Sequence, residues 1–486
     1  MPSAFRGDTP GKKAVNMKSL GALAILVALT FRPGAIDAKD LTAFVAAAAR
    51  DDLKQNGAAS VSIGIMQQGR VVLARAYGDA RVSPPIAATP QTIYKIGSVT
   101  KQFVAGAIML LVQEHQLSLS DPVSKYVVSA ASGARVTIAN LLNQTAGYVD
   151  YYPLEYVDTE MQRATTADAI IAEYATKPLD FEPGSKYSYS NTNYTLLGKV
   201  IETVAHQPFE SFLAKRFFVP LGMIDTSCES KALESKQIAV GYTTQFLSSL
   251  TVAAPEAPGW VGAAGCLMST PADLLKWDAA LMNGNVVDTA SVKAMTTPPT
   301  LSNGTVSDYG YGLVTGTWHG HRYWAHDGGV SGFYALNFVF PDDRVAVAIT
   351  YNTDSATAAS LASRIFHEMF NVPEAATPHS VPPASVSKED ADSAASVRAF
   401  LIALQRNTVD RSALSADYNA FLTPALQREA SERLSKLGEP LSVVAHRELN
   451  HGLESTQATV RFASVTVNVL MRTDSEGKIA EFLVQR

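Results

Sequence analysis

Ser98 and Lys101 could form the centre of a nucleophilic site. They are three residues apart, close to one helical turn, so a helix would place both side chains on one face. A serine at the first turn feels the positive end of the helix dipole, and an amine one turn later can take its proton. The same spacing recurs elsewhere, as at Ser475 and Lys478. Taken alone, it fits a helix-capping serine and a surface lysine equally well.

A second motif, Tyr189-Ser190-Asn191, lies in a turn before a predicted helix over 194–204. A phenol beside a cation can ionise below its usual pKa of about 10 and act as a general base. The amide of Asn191 could bind a substrate carbonyl, or it could simply cap the helix.

A third motif, His326-Asp327-Gly328-Gly329, is predicted at the end of a strand. Glycines there allow a substrate to approach the backbone closely, and a backbone N–H could donate to an oxyanion. A glycine-rich turn beside a hydrogen-bonded histidine is the simpler alternative.

Aromatic residues cluster soon after Gly147. They are interpreted either as the mouth of a cleft that stacks on an apolar acyl group or as an ordinary packed loop. The cluster comprises Tyr148, Asp150, Tyr151, Tyr152 and Tyr156.

The surrounding sequence predicts the elements that position these motifs. Residues 62–76 alternate around a Gln-Gly pair, as a hairpin does, and 98–116 has a helical period with little charge. Residues 337–352 predict two further strands, and 355–370 a closing helix. Strands at both ends of a helix-rich middle, without a series of βαβ units, indicate an antiparallel α+β fold.

The composition indicates a folded protein of more than one domain. The chain has 486 residues, 47% of them hydrophobic, which allows a large core and excludes disorder as the main state. A net charge of −5 provides no basic surface for nucleic acid. Cys228 and Cys266 could form one disulfide or none.

The first 38 residues have the pattern of a secretory signal. Lysines precede a short apolar run over 20–29, and a small-residue stretch allows cleavage after Ala38. The run is too short for a stable membrane span. We therefore expect a periplasmic or secreted protein, whose translation starts at Met1 or Met17.

A proline- and charge-rich stretch predicts a linker over 376–394. It would separate a domain over 39–375 from a small α+β accessory domain over 395–486. In the accessory domain, 397–405 and 421–437 predict helices, and four strands follow.

Together, the three motifs resemble those of the serine β-lactamase and penicillin-binding-protein superfamily. The chain is most similar to the class C-like branch, which includes DD-carboxypeptidases, D-aminopeptidases and family VIII-type esterases. That branch carries Ser-x-x-Lys, Tyr-x-Asn, and Lys-Thr-Gly or His-x-Gly in this order. The matching positions are Ser98, Lys101, Tyr189, Asn191, His326 and Gly328. The likeness covers about residues 40–372 and includes segments 141–147, 220–223 and 262–270.

The resemblance implies an antiparallel β-sheet flanked by helices, an all-helical lobe, and a site between them. Ser98 would attack the carbonyl of an amide or ester and form an acyl-enzyme. Lys101 and Tyr189 would activate Ser98 and return its proton to the leaving group. The N–H groups of Ser98 and Gly329 would form the oxyanion hole. Asn191, His326 and Gly328 would also bind the substrate, a small molecule or a peptide that could derive from the cell wall. The resemblance implies no metal and no cofactor.

One departure from the family pattern bears on the substrate. The strongly β-lactam-hydrolysing enzymes of this group carry Lys at the position of His326, and an imidazole, which titrates near 6.5, attracts a carboxylate less. This favours a peptidase or esterase over a class C-like β-lactamase. A non-catalytic penicillin-binding sensor is a further alternative, and the choice of Lys101 or Tyr189 as general base stays open.

Two other enzyme classes fit the sequence less well. An α/β-hydrolase would need a Gly-x-Ser-x-Gly elbow, which the chain lacks. A metallohydrolase could use His319, His321 and His326, but no accompanying metal-binding pattern is present.

Overall fold

The computed structural model describes residues 38–485, except 153, 155, 229, 234, 235, 374–386, 451 and 452. The predicted signal peptide lies outside the described residues apart from Ala38, and so does most of the predicted linker. Among the helices that are described, none has both the length and the apolar character needed to cross a membrane.

A seven-stranded antiparallel sheet forms the centre of the larger domain. The strands of this domain are β1 Ser60–Gln67, β2 Arg70–Arg81, β3 Ile86–Ala87, β4 Tyr94–Lys95, β5 Tyr242–Thr243, β6 Thr251–Val252, β7 Met268–Ser269, β8 Val314–Trp318, β9 His321–Val330, β10 Phe333–Phe340 and β11 Val345–Tyr351. The sheet has the order β3-β2-β1-β11-β10-β9-β8, and β4 with β7 and β5 with β6 form two short additional pairs. Strands β10 and β11 are buried along their whole length because helices cover both faces of the sheet. The predicted hairpin and the pair of late strands are confirmed.

Helices cover both faces of this sheet. They are α1 Ala38–Asn56, α2 Thr100–Gln113, α3 Ile138–Leu142, α4 Ala167–Tyr174, α5 Asn191–Ala205, α6 Phe209–Leu213, α7 Val219–Leu221, α8 Gly262–Gly265, α9 Pro271–Met282, α10 Thr289–Met295 and α11 Ala359–Phe370. Helices α1 and α11 pack on one face, and α2 and α9 pack on the other with the helical lobe beyond them. The closing helix begins at Ala359, four residues later than predicted from 355.

Helix α2 lies at the centre of the larger domain. It is buried from Thr100 to Leu111, which explains why its sequence is apolar on every side. Gly106 allows Trp277 of α9 to pack closely, since a Cβ at Gly106 would lie 2.9 Å from the indole ring. The helix that carries Lys101 is therefore fixed on all sides.

The C-terminal domain has a four-stranded antiparallel sheet. Its elements are α12 Lys388–Gln405, α13 Ala416–Phe421, α14 Pro424–Leu434, β12 Ser442–Asn450, β13 Leu453–Arg461, β14 Thr466–Thr473 and β15 Ile479–Gln485. The four predicted strands are confirmed, whereas α13 was not predicted.

The first helix of the C-terminal domain begins at Lys388, so 388–394 are helical rather than part of a linker as predicted. The Ser387 side chain caps this helix by accepting the Asp390 N–H, and Glu389 and Asp390 lie in its first turn. The acidic residues of the expected linker therefore stabilise a helix N-terminus.

A buried carboxyl group lies between α9 and the sheet. The side chain of Asp278 is fully buried, and its Oδ1 accepts a hydrogen bond of 2.7 Å from Asn337 Nδ2. Burial raises the pKa of Asp278 from 3.8 to about 8, so this group is protonated in the folded protein at neutral pH.

We predict that Asp278 makes the fold less stable as the pH rises. Between pH 3.8 and about 8 the folded chain keeps a proton that the unfolded chain has released, so its contribution to stability falls with pH. Asp278→Asn imitates the protonated acid and removes this dependence. The variant should gain up to about 1.4 kcal/mol per pH unit over the natural chain, measured by urea unfolding across this range. Parallel pH profiles for the two proteins would contradict the prediction.

Candidate active site

Ser98 lies where α2 meets the edge of β9. It is partly exposed and sits in a turn of 3-10 helix, Gly97–Val99, that precedes α2. A Cβ on Gly328 would lie only 2.1 Å from the Ile96 carbonyl oxygen and 2.6 Å from the Ser98 nitrogen. Glycine at this position therefore allows the strand and the Ser98 turn to be in direct backbone contact.

The amine of Lys101 is bound by three acceptors. Its Nζ lies 3.0 Å from Ser98 Oγ, 2.8 Å from Asn191 Oδ1 and 2.7 Å from the Ala264 carbonyl oxygen. The side chain is fully buried, and burial lowers the pKa of Lys101 to about 7, although the charge of Asp150 opposes this shift. A large fraction of the amine is therefore neutral near neutral pH. The charged form donates to all three acceptors, whereas the neutral form has two hydrogens, for Asn191 and Ala264, and a lone pair that can face the serine.

Tyr189 faces the same serine from the helical lobe. Its hydroxyl donates to Ser98 Oγ at 2.7 Å, and its ring centre lies 4.8 Å from Lys101 Nζ. Burial raises the pKa of Tyr189 well above 10, so it remains a phenol. The expectation that a nearby cation would lower this pKa is wrong, because desolvation is the larger effect.

Asp150 fixes the orientation of Asn191. One carboxylate oxygen accepts the Asn191 backbone N–H at 2.9 Å, and the other accepts its side-chain Nδ2 at 3.3 Å. The amide oxygen of Asn191 is thereby turned toward Lys101. The sequence showed Asp150 only as part of an aromatic cluster, and no local pattern indicated this contact between distant positions.

His326 lies within β9 rather than at the strand end, and it is almost fully buried. Its Nδ1–H donates to the Asp327 carbonyl oxygen at 2.5 Å, so Nε2 accepts from the Tyr309 hydroxyl at 2.9 Å. Burial lowers the pKa of His326 to about 4, and the ring is neutral at pH 7. Tyr309 in turn packs edge-on against Tyr189, with ring centres 6.2 Å apart, and connects the histidine to the site; sequence reasoning missed this tyrosine. Its contact with substrate stays a prediction.

Gly329 lies on an exposed part of β9. It is exposed, and nothing lies within 4 Å of the position a side chain would occupy. Strand β8 pairs with β9 only as far as Ala325, which leaves the following edge of β9 beside the Ser98 turn. The placement suits an oxyanion hole formed by the N–H groups of Ser98 and Gly329, which stays a prediction.

The aromatic cluster is mainly a packed loop. Tyr148, Tyr151 and Tyr156 are 2%, 5% and 4% exposed, so the expectation that they line the cleft mouth is wrong. Tyr152 is partly exposed, and its hydroxyl donates to Glu256 Oε1 at 2.9 Å. The burial favours the alternative of a packed loop, but the sequence did not show which element would cover it.

A disulfide joins Cys228 to Cys266 and settles the alternative that the sequence left open. Cys266 lies two residues after Ala264, whose carbonyl binds the lysine amine. The next residue, Leu267, donates its N–H to Thr100 Oγ1 on α2 at 3.1 Å. The disulfide thus restrains the segment that binds Lys101.

The sheet, the helical lobe and the Ser98–Lys101–Tyr189 cluster at their junction have the arrangement of the β-lactamase and transpeptidase-like family. The family model named Beta-lactamase matches residues 45–368, and the chain belongs to this family.

Individual relatives agree with this assignment. Protein flp of Staphylococcus aureus is 32% identical over 231 residues, and this match covers 46% of the chain and 46% of flp, about half of each. The octameric penicillin-binding protein homologue from Pyrococcus abyssi shares the fold with a TM-score of 0.60, 24% identity and 90% coverage of both chains. D-amino acid amidase from Ochrobactrum anthropi SV3 has a TM-score of 0.60 and 23% identity over 68% of this chain and 99% of its own.

We predict that the disulfide contributes to the stability of the larger domain. Replacing both cysteines, Cys228→Ser with Cys266→Ser, should lower the unfolding free energy by about 2–4 kcal/mol, because the unfolded chain regains freedom between the two positions. Urea unfolding with and without reductant measures this loss. The natural chain should respond to reductant and the variant should not, whereas equal midpoints for the oxidised proteins would contradict the prediction.

Proposed function

We propose that the chain is an exported serine hydrolase that cleaves an amide or ester bond through an acyl-enzyme on Ser98. The supporting observation is that Ser98 Oγ lies within hydrogen-bond distance of both Lys101 Nζ and the Tyr189 hydroxyl. Export is supported by the signal pattern of the first 38 residues and by the disulfide, because disulfides persist in oxidising compartments. The protein would then act in the periplasm or outside the cell.

Acylation begins with the neutral form of Lys101. As Ser98 Oγ forms a bond to the substrate carbonyl carbon, its proton passes to the lysine lone pair. The carbonyl electrons move onto oxygen, which the N–H groups of Ser98 and Gly329 stabilise. Tyr189 is a poor candidate for this base because its phenol stays protonated.

Collapse of the tetrahedral intermediate breaks the bond to the leaving nitrogen or oxygen. The Tyr189 hydroxyl, already hydrogen-bonded to Ser98 Oγ, protonates this atom, and the proton held by Lys101 restores the phenol. Water then attacks the acyl-enzyme and releases the acid. Asn191, held by Asp150, is placed to bind the acyl amide with the remaining hydrogen on Nδ2.

The neutral state of His326 bears on the substrate class. β-Lactams and D-Ala-D-Ala peptides carry a carboxylate near the scissile bond, and a neutral buried imidazole offers it no charge. We therefore place D-amino-acid amides, related peptides and simple esters ahead of DD-carboxypeptidase substrates. β-Lactam hydrolysis is the second candidate, supported by the family model.

A substrate panel with the mature chain tests the proposal. It holds a D-amino-acid amide, a short-chain p-nitrophenyl ester, a D-Ala-D-Ala peptide and a cephalosporin, with intact mass recorded throughout. Ser98→Ala should abolish turnover and the mass adduct. Ser475→Ala is the matched control, because Ser475 has the same spacing to a lysine but lies exposed in a turn. Turnover that survives Ser98→Ala would refute the proposal, and a stable adduct without turnover would indicate a penicillin-binding sensor.

We predict that activity depends on the neutral form of Lys101. Below a pH of about 7 the amine is protonated and cannot accept the serine proton, so kcat/KM should rise about tenfold per pH unit and level off above 7. The pH profile on the best panel substrate measures this limb.

Tyr189→Phe provides the control for this pH limb. It should lower kcat/KM by about 10²-fold or more without moving the limb, because the phenol titrates far above this range. A limb that disappears in this variant would instead assign the titration to the tyrosine.

A further inference from the structure

The C-terminal domain encloses an aromatic side chain of the larger domain, Tyr156. Its ring centre lies 4.4 Å from that of Phe421 and 5.8 Å from that of Tyr418, and its hydroxyl donates to the Ala480 carbonyl oxygen at 3.2 Å. All three partners belong to the C-terminal domain. Tyr156 is therefore part of that domain's apolar core.

Phe246 enters the same core from a second segment of the larger domain. It is 1% exposed, and Arg433 Nε donates to its carbonyl oxygen at 3.3 Å. Its backbone has a φ of 50°, which bulky residues rarely adopt and which persists only where surrounding contacts hold it. The C-terminal domain supplies those contacts.

The segment that carries Tyr156 also lines the candidate site. Upstream on this segment, Asp150 binds both the backbone and the side chain of Asn191. Between them, the Tyr152 N–H donates to Asp150 Oδ1 at 3.2 Å. A short stretch of chain thus connects the C-terminal domain to the amide that faces Lys101.

A second connection runs from this segment through Glu256. Glu256 Oε1 accepts the Tyr152 hydroxyl at 2.9 Å and the Ser331 N–H at 2.7 Å. Ser331 follows the exposed Gly329 by two residues. The segment of Tyr152 is therefore tied to β9 on one side and to the C-terminal domain on the other.

We propose that the C-terminal domain is a positioning clamp for the active site. By burying Tyr156, it holds the segment after Gly147 so that Asp150 keeps Asn191 turned toward Lys101, and by burying Phe246 it anchors a second segment of the larger domain. The two aromatic residues are positioning residues, since neither touches the reacting atoms. The inference rests on the proposed acyl-enzyme chemistry of Ser98.

Such a clamp is useful because ordering a loop costs conformational free energy. Fixing one residue's backbone costs about 1–2 kcal/mol, and the described residues between Asp150 and Tyr156 belong to no helix or strand that would provide this order. Burial of an aromatic ring at its far end offsets part of this cost. Small displacements of positioning groups can slow a reaction by about 10²-fold.

A double-mutant cycle in the full chain tests the clamp. Tyr156→Ala and Phe421→Ala remove the two sides of one ring contact, and Phe421 lies wholly in the C-terminal domain. Each variant should lower kcat on the best panel substrate, and slow single-turnover acylation of Ser98, by about tenfold or more. The double variant should resemble the single ones, because the contact is already lost. Tyr156→Phe keeps the ring and should retain near-normal rates.

Hydrogen exchange provides a readout that does not depend on the reaction. In Phe421→Ala, the Asn191 backbone N–H, which is bonded to Asp150, should exchange faster while amides of the central sheet stay protected. Unchanged exchange at Asn191, or acylation at the natural rate in both single variants, would overturn the clamp. Turnover that survives Ser98→Ala would instead refute the proposed function and leave the exchange result to decide the clamp.

Discussion

The site depends on the hydrogen bonds that a buried amine must make within the protein. A lysine amine without access to water requires acceptors for its hydrogens, and Lys101 finds them in three different parts of the chain. Ser98 lies at the start of its own helix, Asn191 at the start of a helix in the other lobe, and Ala264 in a disulfide-restrained turn. One polar group therefore aligns the two halves of the larger domain around the cleft.

Burial also disfavours the charged forms of three groups around the serine. It lowers the pKa of Lys101 and of His326, and it raises the pKa of Tyr189. In the proposed reaction, a neutral amine can therefore accept the Ser98 proton and a protonated phenol can donate one to the leaving group. The neutral state of His326 is the reason that the proposed function prefers substrates without a carboxylate near the scissile bond.

The sequence predicted those parts of the site whose residues lie close together in short motifs of the chain. Ser98 and Lys101, one helical turn apart, and the motif of Tyr189 meet as expected, and the hairpin and late strands follow their apolar patterns. The contact between Asp150 and Asn191 was not predictable, because it joins distant positions and has no periodicity. The start of α12 at Lys388 was missed because acidic residues in a capped first turn resemble those of a solvated linker. The burial of Tyr156 was missed because its cover comes from another domain.

The backbone contact between Gly328 and the Ser98 turn has a consequence for how such an enzyme can change. No side chain fits between the strand and the turn, so this wall of the cleft allows almost no variation in sequence. The segment that carries Tyr152 is packed less closely there, since Tyr152 is partly exposed, but its neighbour Asp150 holds Asn191 in place. A library aimed at altered selectivity should therefore vary Tyr152 and leave Gly328 and Asp150 unchanged.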